Sequence, residues 1–407
     1  MFTFDALPAH RRPHLRGGMR TLRAVLTIVL FMAWAVLGAP GAAYADKVRS
    51  QQWQLDALRI PQAWGYADGD GAVVAVLDSG VDASHPDLRG QVLPGTDLVD
   101  PGGDGRTDAV GHGTAIAAII AGHNDGKGVV GIAPRAKILP VRVLDQENRY
   151  NDPTVVAEGL RWAVDHGADV VNLSLGGAQP SEDLAAAIQY AYDHDVVLVA
   201  CAGNNVGDGD RQIWYPAREP GVIAVTGLDQ SGTFWKLSLA GPQSVLAAPA
   251  DQLVGATAGG GYTELKGTSF SAPMVSATAA LVRSHWPDMN AANVANRLIR
   301  TARDAGPAGR DDQYGFGRVD PVAALTNPVT SVRENPLDTT PRSPGATGNW
   351  SASPAKQQAA PDTDDSGWAA ALIGLLALAG AVAASTVMLR RRMASDPAEP
   401  LATSHHH

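Results

Sequence analysis

Five short runs along the chain are apolar at nearly every position and rich in β-branched residues: 72–77 (AVVAVL), 137–143, 169–175, 196–201 and 222–226. Continuous apolar runs of this length suit strands covered on both faces. Between and beyond them, apolar positions recur with a helical period over 112–121, 153–166, 181–194 and 269–286. Strands alternating with helices predict an α/β domain, a parallel sheet with helices on both faces. In such a sheet the active site lies outside the carboxyl ends of the strands. The chain shows no internal repeat.

Two longer apolar runs near the ends lie outside this alternation. The first, 24–45, follows Arg11, Arg12, Arg16, Arg20 and Arg23 and closes on Ala43-Tyr44-Ala45. A basic stretch, an apolar stretch and a small-x-small cleavage site read as a secretory signal over 1–45. Met19 offers an alternative start that would shorten it. The second run, 366–389, carries no charge, and its core at 368–389 is long enough to cross a bilayer about 30 Å thick. Arg390, Arg391 and Arg392 follow directly, which places the 390–407 tail in the cytoplasm. Residues 327–367 hold six prolines among Ser, Thr and Asp and read as a solvated linker.

Charge sharpens this picture. The 407 residues sum to −9. The first 45 carry +4 and the last 18 carry +1, so the middle carries −14. An acidic middle argues against nucleic acid as a partner. It also marks the part expected outside the membrane, with the chain held as a single-pass protein of the cell membrane. Apolar residues at 45% supply a large core and exclude a mainly disordered chain. A single cysteine, Cys201, excludes an intramolecular disulfide framework and any multi-cysteine metal site.

The candidate chemistry falls where the strands end. Asp78 closes the first run in VAVLDSGVD, His112 opens a helix in GHGTAIAAIIAG, and Asn204 follows the fourth run in VACAGNN. Ser269 opens another helix in GTSFSAPMVSATAA. A serine hydroxyl is a weak nucleophile and needs an adjacent base, and neutral imidazole is suited to that task. A strand-end Asp fixes the imidazole tautomer and stabilises the imidazolium that forms. A helix N-terminus beneath the serine favours developing negative charge, and an amide side chain can donate to it.

These four segments, in the order Asp, His, Asn, Ser, resemble the signature blocks of the subtilisin-like serine proteases. The resemblance covers residues 51–325 and includes the closing YGFGRVDPVAAL. It implies Asp78 as orienter, His112 as base and acid, Ser269 as nucleophile and Asn204 as oxyanion donor with the Ser269 backbone N–H. It makes Ser174, Leu175 and Gly176 of NLSLGG a substrate-pairing strand and one wall of the primary pocket, with Ala202 and Gly203 as the other. A second edge near 144–150 would sandwich the peptide. Trp214 falls at the pocket base, where it either restricts depth or packs in the core. No cofactor is implied; Asp87 and Asp125 fall near positions that bind calcium in some relatives.

The order signal (1–45), short extension (46–70), catalytic domain (71–326), linker (327–367), membrane helix (368–389) and tail (390–407) is similar to that of the mycosins. Those are membrane-anchored subtilases tied to type VII secretion. QQWQLDALRIPQAW, at 51–64, is similar to their N-terminal extension. Several mycosins carry disulfides, and here this chain departs from them. The resemblance implies a protein or peptide substrate, a membrane, and type VII secretion machinery as partners. It leaves two roles open: an active endopeptidase, or a structural component of a secretion complex.

Overall fold

The computed structural model describes residues 47–150, 152–205, 207, 211–338 and 350–352. The expected signal, membrane helix and cytoplasmic tail lie outside the described residues. Among the described residues no helix is long and apolar enough to cross a membrane.

In chain order the strands are β1 (Val73–Asp78), β2 (Thr96–Asp97), β3 (Lys137–Arg142), β4 (Arg149–Tyr150), β5 (Val170–Leu173) and β6 (Leu175–Gly176). They continue as β7 (Val197–Cys201), β8 (Ile223–Leu228), β9 (Leu246–Pro249), β10 (Leu253–Thr257), β11 (Gly261–Leu265) and β12 (Trp350–Ala352). The helices are α1 (Trp53–Ala57), α2 (Ile60–Ala63), α3 (His112–Ala121), α4 (Pro153–Asp165), α5 (Glu182–Asp193), α6 (Thr268–His285), α7 (Ala291–Arg300) and α8 (Pro321–Thr326).

Seven strands form one sheet in the order β2-β3-β1-β5-β7-β8-β9, all paired in parallel. The apolar runs make its interior: β5, β7, β8 and β9 are buried at every residue. Helices α4 and α5 pack on each other and on the sheet, while α3 and α6 pair against β1, β5 and β7. The chain leaves β1 toward β3 and later crosses to β5 on the other side. The carboxyl end of β1 is therefore a topological switch point, where such sheets open a crevice. Asp78 stands there.

The expected strand over 169–175 is broken at Ser174, which separates β5 from β6. Strand β9, the hairpin of β10 with β11, and helix α7 have no counterpart among the sequence expectations.

The N-terminal extension is part of the core. Val48, Leu55, Leu58, Ile60 and Ala63 are buried in it. Gln52 acts as a length of strand: its amide donates to the carbonyl of Val130 (3.0 Å) and accepts from the Val130 N–H (2.9 Å). Trp53 and Trp64 donate their indole N–H groups to the carbonyls of Gln252 and Ile132, and Arg59 pairs with Asp320 at the start of α8.

The start of the linker is largely exposed but fastened to the domain. Residues 330–337 are strapped to the domain by side-chain amides. Asn293 donates to the carbonyl of Val332 and accepts from its N–H, and Asn296 donates to Thr330. Asn335, buried, donates its own N–H to Tyr192 Oη and its amide to Gly221, and its side-chain oxygen accepts from the Leu337 N–H. Few apolar residues are needed when α7 offers amides that satisfy an irregular backbone.

Candidate active site

Asp78, at the carboxyl end of β1, and His112, the first residue of α3, are both buried. The His112 Nδ1–H donates to Asp78 Oδ1 at 2.7 Å. This bond leaves Nε2 as the imidazole atom free to act on a proton. Asp78 Oδ1 also accepts from the Ser79 N–H (2.8 Å). Glycine at 113 lets α3 come this close: a Cβ there would sit 2.0 Å from the Gly80 carbonyl oxygen.

Asp108 is a residue that the sequence patterns did not single out. Its buried carboxylate accepts from the N–H groups of Val110, Gly111 and Thr114, the Thr114 hydroxyl and the Ser79 hydroxyl. It thus caps α3 from outside, because Gly111 at the N-cap has no side chain to do so. Ser79 Oγ in turn accepts from the Gly113 N–H. Asp108 lies four residues before His112 and not at the N-cap position itself, so the usual cap signal does not find it.

Burial disfavours the charged form of His112. The Asp78 charge and hydrogen bond, with a contribution from Asp108, outweigh it and hold the imidazole pKa above its ordinary value. Burial lifts the Asp108 carboxyl above the usual carboxylate range, against the hydrogen bonds from Thr114 and Gly111.

Ser269 is the second residue of α6 and fully buried, and Phe270 beside it packs against the His112 ring at 5.4 Å. Neither Ser269 Oγ nor His112 Nε2 has a hydrogen-bond partner among the described residues. The structure forms the Asp–His bond and not the His–Ser bond; such contacts tighten when substrate binds.

The start of α6 is held by a connected polar set. Pro273 lies inside the helix and has no N–H for the carbonyl four residues back, which is that of Ser269. Ser174 supplies the missing donor: its hydroxyl reaches the Ser269 carbonyl at 2.6 Å. Asn172 donates to Ser174 Oγ, and Ser276 donates to Asn172. Ser174 therefore fixes the segment of Ser269, the expected nucleophile, in addition to standing on the expected substrate edge. Asn204 accepts from the Thr268 N–H and hydroxyl, both at 3.0 Å, through Oδ1. That orients its Nδ2 end toward Gly267, where a Cβ would lie 3.2 Å from it.

The two expected pocket walls are brought together by Trp214 and Tyr215. The Trp214 N–H donates to Ala202, and Tyr215 exchanges two hydrogen bonds with Gly177. A Cβ on Gly203 would meet the indole at 2.5 Å, and one on Gly176 would meet Trp214 Cβ at 3.1 Å. Leu175 is buried beside them, and Cys201 lies beneath with its thiol aimed at the Leu175 carbonyl. Burial pushes that thiol up to about 12, so it stays protonated and unreactive.

Asp87 and Asp125, which fall near expected calcium positions, lie close together: burial raises the Asp87 carboxyl pKa, and the Asp125 charge adds to it. Asp87 accepts from the Val129 N–H and the Tyr262 hydroxyl, and Asp125 accepts from the Lys127 N–H. Among the described residues no group of three or more His, Cys, Asp or Glu could hold a metal ion.

Residues 69–317 match the model of the subtilase family. The chain belongs to this family. Its members are serine proteases, so this subtilase is a hydrolase of peptide bonds. Thermitase of Thermoactinomyces vulgaris is 36% identical over 277 residues, covering 68% of this chain and 96% of thermitase. Fervidolysin of Fervidobacterium pennivorans is 37% identical over 317 residues, 70% of this chain. The subtilase spans 45% of fervidolysin, under half its length. Among solved structures, MycP1 from Mycobacterium smegmatis matches with a TM-score of 0.64 at 32% identity, covering 72% of this chain and 89% of that one. MycP3, a protease from the type VII (ESX-3) secretion system, matches with a TM-score of 0.60 at 32% identity, covering 68% and 88%.

Proposed function

We propose that this subtilase is a mycosin-type endopeptidase, anchored by 368–389 with its catalytic domain outside the membrane and tied to type VII secretion. The observation that carries the catalytic part is the buried 2.7 Å Asp78–His112 bond beside the polar set that fixes Ser269. The mycosin part is supported by the likeness to MycP1 and MycP3 and by the sequence order of signal, linker and apolar run.

The residues divide the reaction as follows. Ser269 Oγ attacks the peptide carbonyl while His112 Nε2 takes its proton. Asp78 stabilises the imidazolium without itself becoming protonated. The oxyanion is met by the Asn204 amide and by the Ser269 N–H at the open end of α6. His112 returns the proton to the leaving amine, and water then releases the acyl group. Ser174, Leu175 and Gly176 with Ala202 and Gly203 hold the peptide as an added strand.

A fluorophosphonate that cannot cross membranes, applied to intact cells, tests both parts. Labelling of wild type and none of Ser269→Ala is expected. Labelling only after lysis would overturn the topology and leave the enzyme standing. Folded wild type that stays unlabelled in both cases would sink the enzyme. A second reading, a structural component of a secretion complex, draws on the description of MycP1 as an essential component of the type VII (ESX-1) system. Secretion that persists in Ser269→Ala and fails in a deletion of the chain favours it.

A further inference from the structure

Between β4 and β6 lies a third strand, and it comes from the chain's own linker. β12 pairs antiparallel with both neighbours, in the order β4-β12-β6. Trp350 stands opposite Tyr150, Ser351 opposite both Arg149 and Gly176, and Ala352 opposite Leu175. Two facing strand edges leave backbone N–H and C=O groups that a third strand satisfies at once.

The direction of β12 is informative. Its register runs from Gly176 to Leu175, and Ser174 is the next residue on that edge. Ser174 holds the carbonyl of Ser269. A peptide that keeps this register is led toward the nucleophile, with its next residue opposite Ser174. In this chain's sequence that residue is Ser353, followed by Pro354. A proline ring restricts the backbone of the residue before it, so a strand of this sequence suits holding rather than cutting.

We propose that residues 350–352 are an intramolecular ligand of the substrate cleft, which competes with incoming peptide. The proposal rests on reading β6 as the substrate edge. The distance along the chain supports it. The strap ends near Asp338, eleven residues before Trp350 is reached (339–349), and even a flexible chain of that length spans only roughly 20 Å on average. A ligand joined to its site through so few residues has an effective concentration on the order of millimolar. Even a weak strand of three residues then stays in place.

The test uses the full-length chain carrying Trp350→Pro, Ser351→Pro and Ala352→Pro together, which removes the strand's N–H donors without touching the folded core. The KM for a short chromogenic peptide is expected to fall several-fold at unchanged kcat. A synthetic peptide of residues 348–355 is expected to restore competitive inhibition. Equal KM values with and without the prolines overturn the proposal. A measurement without chemistry runs in the Ser269→Ala background. There the labelled 348–355 peptide should bind several-fold more tightly to the triple-proline chain than to the chain with its own strand. Equal binding to both, or binding to neither, overturns it. If no variant hydrolyses peptide, the protease reading fails, and this comparison still decides whether the cleft holds the linker.

Discussion

Removing the charge of Asp108 while keeping its shape separates two of its effects. In Asp108→Asn the new NH2 must face either the Thr114 N–H or the Val110 and Gly111 N–H groups, a donor against donors, so the cap at His112 is damaged. The loss of negative charge also lowers the His112 pKa, because Asp108 is one of the groups that raise it. Only neutral imidazole accepts the serine proton, so activity rises with pH through the His112 pKa. The expected profile of kcat/KM in Asp108→Asn therefore reaches half-maximum at lower pH than wild type, with a plateau lower by about tenfold or more from misplacement of the base. A profile that keeps its midpoint shows that Asp108 acts by capping alone. The stability sign is opposite. A raised histidine pKa contributes stability that is full below the ordinary pKa and fades as pH rises through the folded one. Activity is thus gained over the window in which that contribution is lost. Trp214 is the second residue to test. Its indole lies against Gly203, between the segments that carry Gly176 and Ala202. In a peptide library the wild type is expected to prefer small side chains before the cut bond, and Trp214→Gly to admit Phe and Leu. An unchanged preference assigns Trp214 to packing. Asp78, His112, Asn204 and Ser269 were legible from sequence because each sits in a motif of several residues. Asp108 was not, because its work is done through backbone N–H groups that leave no mark beyond one Asp in a loop.

Among the elements, the strands were read most easily and the polar supports least. β1, β3, β7 and β8 carry near-continuous apolar sequence, the direct consequence of burial on both faces. β9 reads LAAP and escaped notice, since a short alanine-rich strand has no periodic signature. Helix α6 was expected from Ser269 onward, yet its start depends on Ser174, nearly a hundred residues away in sequence. The proline that creates this need is visible in the sequence; the partner that answers it is known only once β5 and α6 are adjacent. The extension behaves in the same way. Its apolar residues announce burial, but Gln52 is polar and gives no sign that it will pair with Val130. Gln52→Ala leaves the Val130 N–H and C=O buried and unpaired, which costs about 1–3 kcal/mol per group. A lower Tm with kcat/KM retained at temperatures well below it is the expected outcome. An unchanged Tm would show that the extension is held by its apolar residues alone.

At the scale of the whole molecule, the acidic middle, the basic ends and the alternating pattern together indicated an α/β catalytic body between two membrane-directed segments. The body and its family stand as described, and the membrane topology is carried by the proposal above. One boundary moved. The linker was expected to begin at 327, but the chain remains fastened to the body through Asn335, beyond Pro328. That fastening bears on the topology proposed above, in which the chain is held at 368–389. In that topology a pull from the C-terminal side meets β12 first, and then Asn335, Asn293 and Asn296 before the rest of the domain. In the proposed topology the strap is a strain relief: a load that passes β12 falls on α7 and Tyr192 before it reaches the elements that carry Asp78, His112 and Ser269.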